Sequence, residues 1–219
     1  MEKNNMIRIG IELNGVVRNV NKQILKYYQK DIDPSLDLDE IDDKDDVFKY
    51  AKFDSNRAKN EFIYIDYPYE IFGCAKTMTK ELATEFTNWL AELTNYEDDD
   101  VEIYFFSLGE ESLTIQSSYF FLSKIGTRVR KVVFPRDLGE LTNDTDVIIT
   151  ANKTVVDYFK DNKDIYKILI NNKINSECKE NVDSNYDTLS EVIKDEEMLN
   201  TLHEFVLNKS NKNTLEDGN

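Results

Sequence analysis

Five short runs of β-branched and aromatic residues alternate along this chain with segments whose apolar residues return at helical spacing. The runs are Ile7–Glu12, Val101–Phe106, Lys131–Phe134, Asp146–Ile149 and Tyr166–Ile170. Apolar runs this short, bounded by turn residues, fit strands buried on both faces. Between them, Val20, Ile24, Leu25, Tyr27 and Tyr28 mark one face of a helix over Asn19–Lys30. Leu82, Phe86, Trp89, Leu90 and Leu93 mark a second over Thr79–Thr94. Further helices are predicted over Leu113–Ile125, with Gly126 as its left-handed stop, and over Thr154–Phe159, with Asn152 as its cap. A short helix at Asp187–Ile193 and a last one over Glu196–Asn208 complete the pattern. Strand–helix alternation predicts an α/β fold, a parallel Rossmann-like sheet with helices on both faces. Seven glycines and three prolines in 219 residues are too few for a loop-rich all-β chain.

The alternation breaks once. Asp31 to Ala75 is acidic at its start and weakly periodic, with a short helix predicted within Val47–Ala58 and a short strand at Phe62–Ile65. This reads as a small cap insert (31–75) over the carboxyl edge of the sheet. The core is then 1–30 with 76–208, followed by a polar tail, 209–219.

Charge narrows the partners. Asp and Glu number 43 against 27 Lys and Arg, for a formal net charge of −16. Such a chain repels a phosphate backbone, which argues against nucleic acid. No stretch has the length of a membrane span, and the polar start, Met1 to Asn5, is not followed by an apolar segment. The cysteines, Cys74 and Cys178, form no CxxC motif, and His203 is the single histidine. Zinc and a catalytic triad are therefore not expected. A reducing, cytoplasmic-type compartment is. The many Asn, Lys, Ile and Tyr suggest an AT-rich bacterial or bacteriophage genome.

In an open parallel sheet the ligand site lies outside the carboxyl ends of the strands. That places Glu12 and Asn14 after the first strand, Ser107 after the second, Arg136 after the third, and Thr150, Ala151 and Asn152 after the fourth. The strand ending in Glu12-Leu13-Asn14-Gly15-Val16-Val17, Ser107 closing the next, and Asp146-Val147-Ile148-Ile149-Thr150-Ala151 before a helix together resemble the haloacid dehalogenase (HAD) superfamily. Leu189-Ser190-Glu191-Val192-Ile193 is similar to the ending of its nucleotidase-like members. The resemblance extends to about Asn208 and implies a HAD-like core with a cap between Glu12 and Ser107.

It also implies a catalytic pattern from which this chain departs. The family has Asp-x-Asp where Glu12-Leu13-Asn14 stands; its first Asp attacks phosphorus and ligates Mg²⁺, and its second is the general acid and base. Glu12 reaches one methylene further, and misplacement of about 1 Å can cost about a hundredfold in rate. Asn14 has no carboxyl proton to give. For the family's lysine near the third strand only Arg136 or Lys131 is at hand. Its Mg²⁺-binding acids at the fourth strand are replaced by Thr150 and Ala151, with Asp157 a remote substitute. Only Ser107 is unchanged. The resemblance thus implies a scaffold without phosphatase activity.

Two functions follow as expectations. The first is a non-enzymatic interaction or structural protein with other protein chains as partners, in a large assembly such as a bacteriophage virion, and with no cofactor or metal. The second is a divergent Mg²⁺-dependent nucleotidase or phosphatase using Glu12. Tyr64, Tyr67 and Tyr69, beside Pro68 and Phe72, are the candidate interface, because tyrosine is enriched at protein contacts; a cap packing on its own core explains them equally. The acid run Asp37–Asp46 lacks the glycine and the terminal glutamate of a Ca²⁺ loop and reads as solvated.

Overall fold

The computed structural model describes residues 7–79, 82–95, 101–126, 131–142, 145–198, 200–202, 204, 205 and 208. His203 and the polar tail lie outside them. The strands are β1 (Ile7–Glu12), β2 (Arg18–Asn19), β3 (Lys76–Thr77), β4 (Val101–Phe106), β5 (Lys131–Val133), β6 (Val147–Thr150), β7 (Tyr166–Ile170) and β8 (Ser184–Tyr186). The helices are α1 (Val20–Asp31), α2 (Asn56–Glu61), α3 (Leu82–Asn95), α4 (Ser112–Ile125), α5 (Gly139–Thr142), α6 (Lys153–Phe159) and α7 (Leu189–Lys194).

Six strands form one parallel sheet in the order β5-β4-β1-β6-β7-β8. The chain winds outward from β1 through β4 to β5, returns to β6, and winds outward again. This is a doubly wound, Rossmann-like sheet, and its direction reverses between β1 and β6.

Side-chain alternation sorts the core into two layers. Ile7, Ile9 and Ile11 of β1 share a face with Phe105, Val147, Ile149, Ile168 and Ile170, covered by Phe86 and Trp89 of α3, Phe121 of α4 and Val192 of α7. On the opposite face Tyr104, Phe106 and Ile148 meet Leu141 of α5 and Val155 and Phe159 of α6. Gly10 points to that second face. A Cβ there would lie 2.6 Å from Tyr104 Oη, so the missing side chain is the notch that seats the tyrosine. Tyr104 Oη is hydrogen-bonded to Thr145 Oγ1, and both residues are buried. Gly10→Ala is expected to destabilise the fold by about 1–3 kcal/mol through overpacking. Urea denaturation measures this; an unchanged midpoint would mean that Tyr104 does not need the notch.

Two outcomes differ from the sequence expectation. Phe62–Ile65 is not a strand: α2 runs on into a π-helical turn, Phe62–Asp66, and a second follows at Tyr69–Gly73. Phe62 and Ile63 are both buried, and sequence neighbours cannot bury on one side of a strand. The helix expected within 47–58 is split. A 3₁₀ turn spans Val47–Lys49, and α2 starts only at Asn56, where Ser55 Oγ accepts from the Ala58 amide at 3.1 Å.

The segment between β2 and β3 carries its own core. Ile24, Leu25 and Tyr28 of α1 bury against Val47, Ala51, Phe62, Ile63, Ile71 and Phe72. The antiparallel pair β2–β3 closes it at the base, with Arg18 opposite Thr77. Charged contacts hold it over the carboxyl ends of β7 and β8. Lys173, just past β7, contacts Asp45 at 2.9 Å and Asp42 at 3.3 Å, and Lys44 contacts Asp187, just past β8, at 3.4 Å. Among the described residues no helix is long and apolar enough to cross a membrane.

Candidate functional site

Glu12 ends β1, one strand from Thr150 at the end of β6, directly at the reversal of the sheet. It is 3% exposed. Its Oε2 accepts from Thr150 Oγ1 at 2.5 Å and from the Ala151 amide at 3.1 Å. Asn152 Nδ2 reaches Oε1 at 3.5 Å. Burial pushes the carboxyl up to about 7, against the opposing pull of the bonds from Thr150, Ala151 and Asn152. The donors are themselves fixed. Asn152 caps α6 by accepting from the Thr154 amide at 2.9 Å, as its position in the sequence predicts. The Ala151 carbonyl accepts from Asn172 and Asn175 side chains, each at 2.9 Å.

Beyond β1 the chain makes one wide turn. Val17 and Arg18 amides both donate to the Leu13 carbonyl, at 3.1 and 2.9 Å. Gly15 has φ 79°, and a Cβ on it would come within 3.1 Å of Ala151 Cβ, so conformation and space both favour glycine. The turn aims Asn14 at Ser107: Asn14 Nδ2 donates to Ser107 Oγ at 3.0 Å. From the other side Arg18 Nε donates to Asn14 Oδ1 at 2.8 Å.

Arg18 is the residue that sequence reasoning missed. It is 0% exposed, and its guanidinium pairs with Glu110, equally enclosed. It also donates to Ser118 Oγ at 2.7 Å and the Phe72 carbonyl at 3.2 Å. Ser118 in turn donates to Glu110 Oε2 at 2.5 Å. A polar chain thus runs from Ser107 through Asn14, Arg18 and Glu110 to Ser118, joining the sheet edge, the base of the insert and α4. The signal in the sequence was one arginine inside the apolar run Val16-Val17-Arg18-Asn19-Val20.

The structure therefore gathers Glu12, Thr150 and Ala151 in one cluster and Asn14 and Ser107 in the next. Arg136 does not join them. It follows β5, the outermost strand on that side, is exposed, and its amide donates to Glu140 Oε1 at 3.2 Å. Lys131 opens β5 at the opposite, amino edge, 3.7 Å from Glu102. Asp157 is exposed on α6. Of the tyrosine group, Phe72 is buried, Tyr64 stacks on it with ring centroids 5.8 Å apart, and Tyr67 packs between Phe62 and Tyr27; Tyr69 is exposed. Cys178 is buried with Val156 and Leu169, and burial pushes its thiol up.

A magnesium ion needs near-octahedral oxygen ligands, usually with carboxylates among them. The cluster supplies one carboxylate, closed off by hydrogen-bond donors, and the groups around it are a hydroxyl already donating and an amide N–H. Among the described residues no three His, Cys, Asp or Glu side chains come together as a metal-holding group. These residues do not fit the ion.

Sheet order, reversal point and the polar cluster at the carboxyl edge define an α/β protein of the Rossmann-like class. No family model matches the sequence, and no curated protein matches it.

Proposed function

We propose that the chain is a non-enzymatic interaction or structural protein on a degenerate HAD-like scaffold. The observation that carries this reading is the internal use of the site. Glu12 is bonded to Thr150, Ala151 and Asn152, and Asn14 to Ser107 and Arg18, so the two positions that would attack and shuttle protons hold the strands and the turn together. A nucleophile needs an exposed, correctly aimed oxygen; the Glu12 carboxyl is enclosed instead. The polar groups of the site are taken up by partners within the fold, which leaves the surface to do the work. A component of a bacteriophage particle is one form of this reading, resting on composition alone.

The test is incubation with Mg²⁺ and a panel of phosphomonoesters. No turnover above background is expected. The double variant Glu12→Asp with Asn14→Asp is expected to restore little, because Thr150 and Ala151 still stand where Mg²⁺-binding acids are required. Turnover by the parent chain that disappears in Glu12→Gln would establish the divergent phosphatase instead.

A further inference from the structure

A groove of about 720 Å³ runs between α2 with its π-helical continuation and the first turn of α4. Its walls include Tyr64 and Ile65 on one side and Leu113 on the other, with Arg57, Glu61 and Glu111 at the rim. Ile65 is 63% and Leu113 50% exposed, and both line the groove. The apolar surface continues along α4. Phe120 lies two turns beyond Leu113 on the same helical face, exposed, with its ring centroid 5.1 Å from that of the exposed Tyr69. Tyr119 beside it is exposed as well. Four of the nine large apolar side chains that the described residues expose therefore lie along this seam, Ile65, Tyr69, Leu113 and Phe120, whereas the Tyr119 ring turns to Phe134, centroids 5.7 Å apart. Clustered exposure of this kind marks an interaction site, whereas scattered single residues do not.

We propose that this groove receives a basic amphipathic helical segment of a partner protein. The proposal rests on the binding reading above and adds a surface and a partner chemistry to it. The shape is that of a helix-in-groove site, a trough bounded by helical turns on both sides, with Tyr64, Ile65 and Leu113 as its apolar wall residues and charged residues at its rim. The charge selects the occupant. Glu61, Asp66 and Glu111 are exposed and Glu70 half-exposed along the seam, against Arg57 and, one turn past Phe120, Lys124, whose Nζ is taken up by the Gly73 and Ala75 carbonyls, on a chain of net charge −16. A segment whose apolar stripe is flanked by Lys and Arg meets these acids favourably. A second copy of this chain would set the same acids against one another.

The probe is a fluorescein-labelled helical peptide of Leu and Lys with Leu at i, i+3, i+4 and i+7. Two comparison peptides are the same composition scrambled and the Leu/Glu counterpart. Fluorescence anisotropy with the full chain is expected to show saturable binding of the amphipathic basic peptide alone. Ile65→Ser and Leu113→Ser should each weaken it about tenfold or more, as loss of a central apolar anchor does. Glu61→Lys with Asp66→Lys should weaken it and flatten its salt dependence. Tyr158→Ser, an exposed aromatic on α6, should change nothing. Thermal melts establish that the variants fold. Absence of binding, equal binding of the scrambled peptide, or unchanged binding in the Ile65 and Leu113 variants overturns the proposal. So does a concentration-dependent dimer in sedimentation that Leu113→Ser abolishes, because a second copy is then the occupant. Phosphomonoester turnover by the same samples would sink the wider non-enzymatic reading, whereas failed peptide binding without turnover sinks this surface alone.

Discussion

Replacing Glu110 by Ala is expected to destabilise the protein by about 3–5 kcal/mol, because it strands a buried charge. Arg18 has no solvent exposure, and burial pushes its guanidinium down from its ordinary value while Glu110 holds it up. Removing the carboxylate takes away the compensating charge and leaves the cation with neutral partners: Ser118, the Phe72 carbonyl and Asn14. An arginine cannot escape by losing its proton. The pair ties β2, where the 20–75 segment begins, to the loop before α4, so amide protection in that segment should fall first. Urea denaturation of the parent, Glu110→Ala, and the double variant Arg18→Met with Glu110→Leu separates pair from packing. The double variant is expected to regain most of the loss, since a buried pair replaced by apolar side chains of similar size is often neutral. A Glu110→Ala midpoint equal to the parent's would show that the ion pair is not closed in solution.

Glu12→Gln is expected to act the other way and to depend on pH. An unfolded glutamate loses its proton near 4.5, whereas burial carries the folded Glu12 up to about 7. Below the lower value both states hold the proton and burial carries no penalty. Between the two the folded state keeps a proton that the unfolded state has released. The stability from Glu12 is therefore fully present at low pH and lost as pH rises through about 7, a loss of about 3 kcal/mol. Gln carries no charge at any pH, so the variant should be more stable than the parent by about that amount at alkaline pH, converging with it in acid. Taking the difference between the two proteins across a pH series isolates Glu12 from carboxylates that act oppositely. Asp45, hydrogen-bonded by Lys173, and Glu85, hydrogen-bonded by Lys194, are held below their ordinary values and lose stability as pH falls. A difference that is flat with pH would mean that the bonds from Thr150, Ala151 and Asn152 fully offset burial, so that the folded and unfolded states bind the Glu12 proton equally.

Where local chemistry decided the outcome, the residues could be read directly. The β1 and β4 ranges follow from runs rich in β-branched and aromatic residues, and parallel pairing follows from their alternation with helices. Gly126 stops α4 at φ 67°, and Asn152 caps α6, because each device needs only its own residue and the next turn. The juxtaposition of Glu12 with Thr150 was implied by topology alone, since neighbouring strands in a doubly wound sheet end side by side.

What depended on distant partners could not be read. Ser184-Asn185-Tyr186 carries no apolar run, yet it forms β8 because β7 presents an open edge at Ile168–Ile170. Phe62–Ile65 has strand-forming side chains, but the hydrophobic pocket made by α1 and Val47 rewards burying two neighbours at once, which only a helical turn allows. Nothing near Arg18 in the chain announces Glu110 or Ser118, which are separated from it by 92 and 100 residues. The sequence by itself determined five of the six strands, their parallel direction and the residues at their carboxyl ends, because these follow from backbone periodicity and short-range capping. The tertiary structure alone decided that Glu12 bonds to Thr150, Ala151 and Asn152 and Asn14 to Ser107 and Arg18, because the protonation and partners of a buried polar group are set by whatever the fold packs against it.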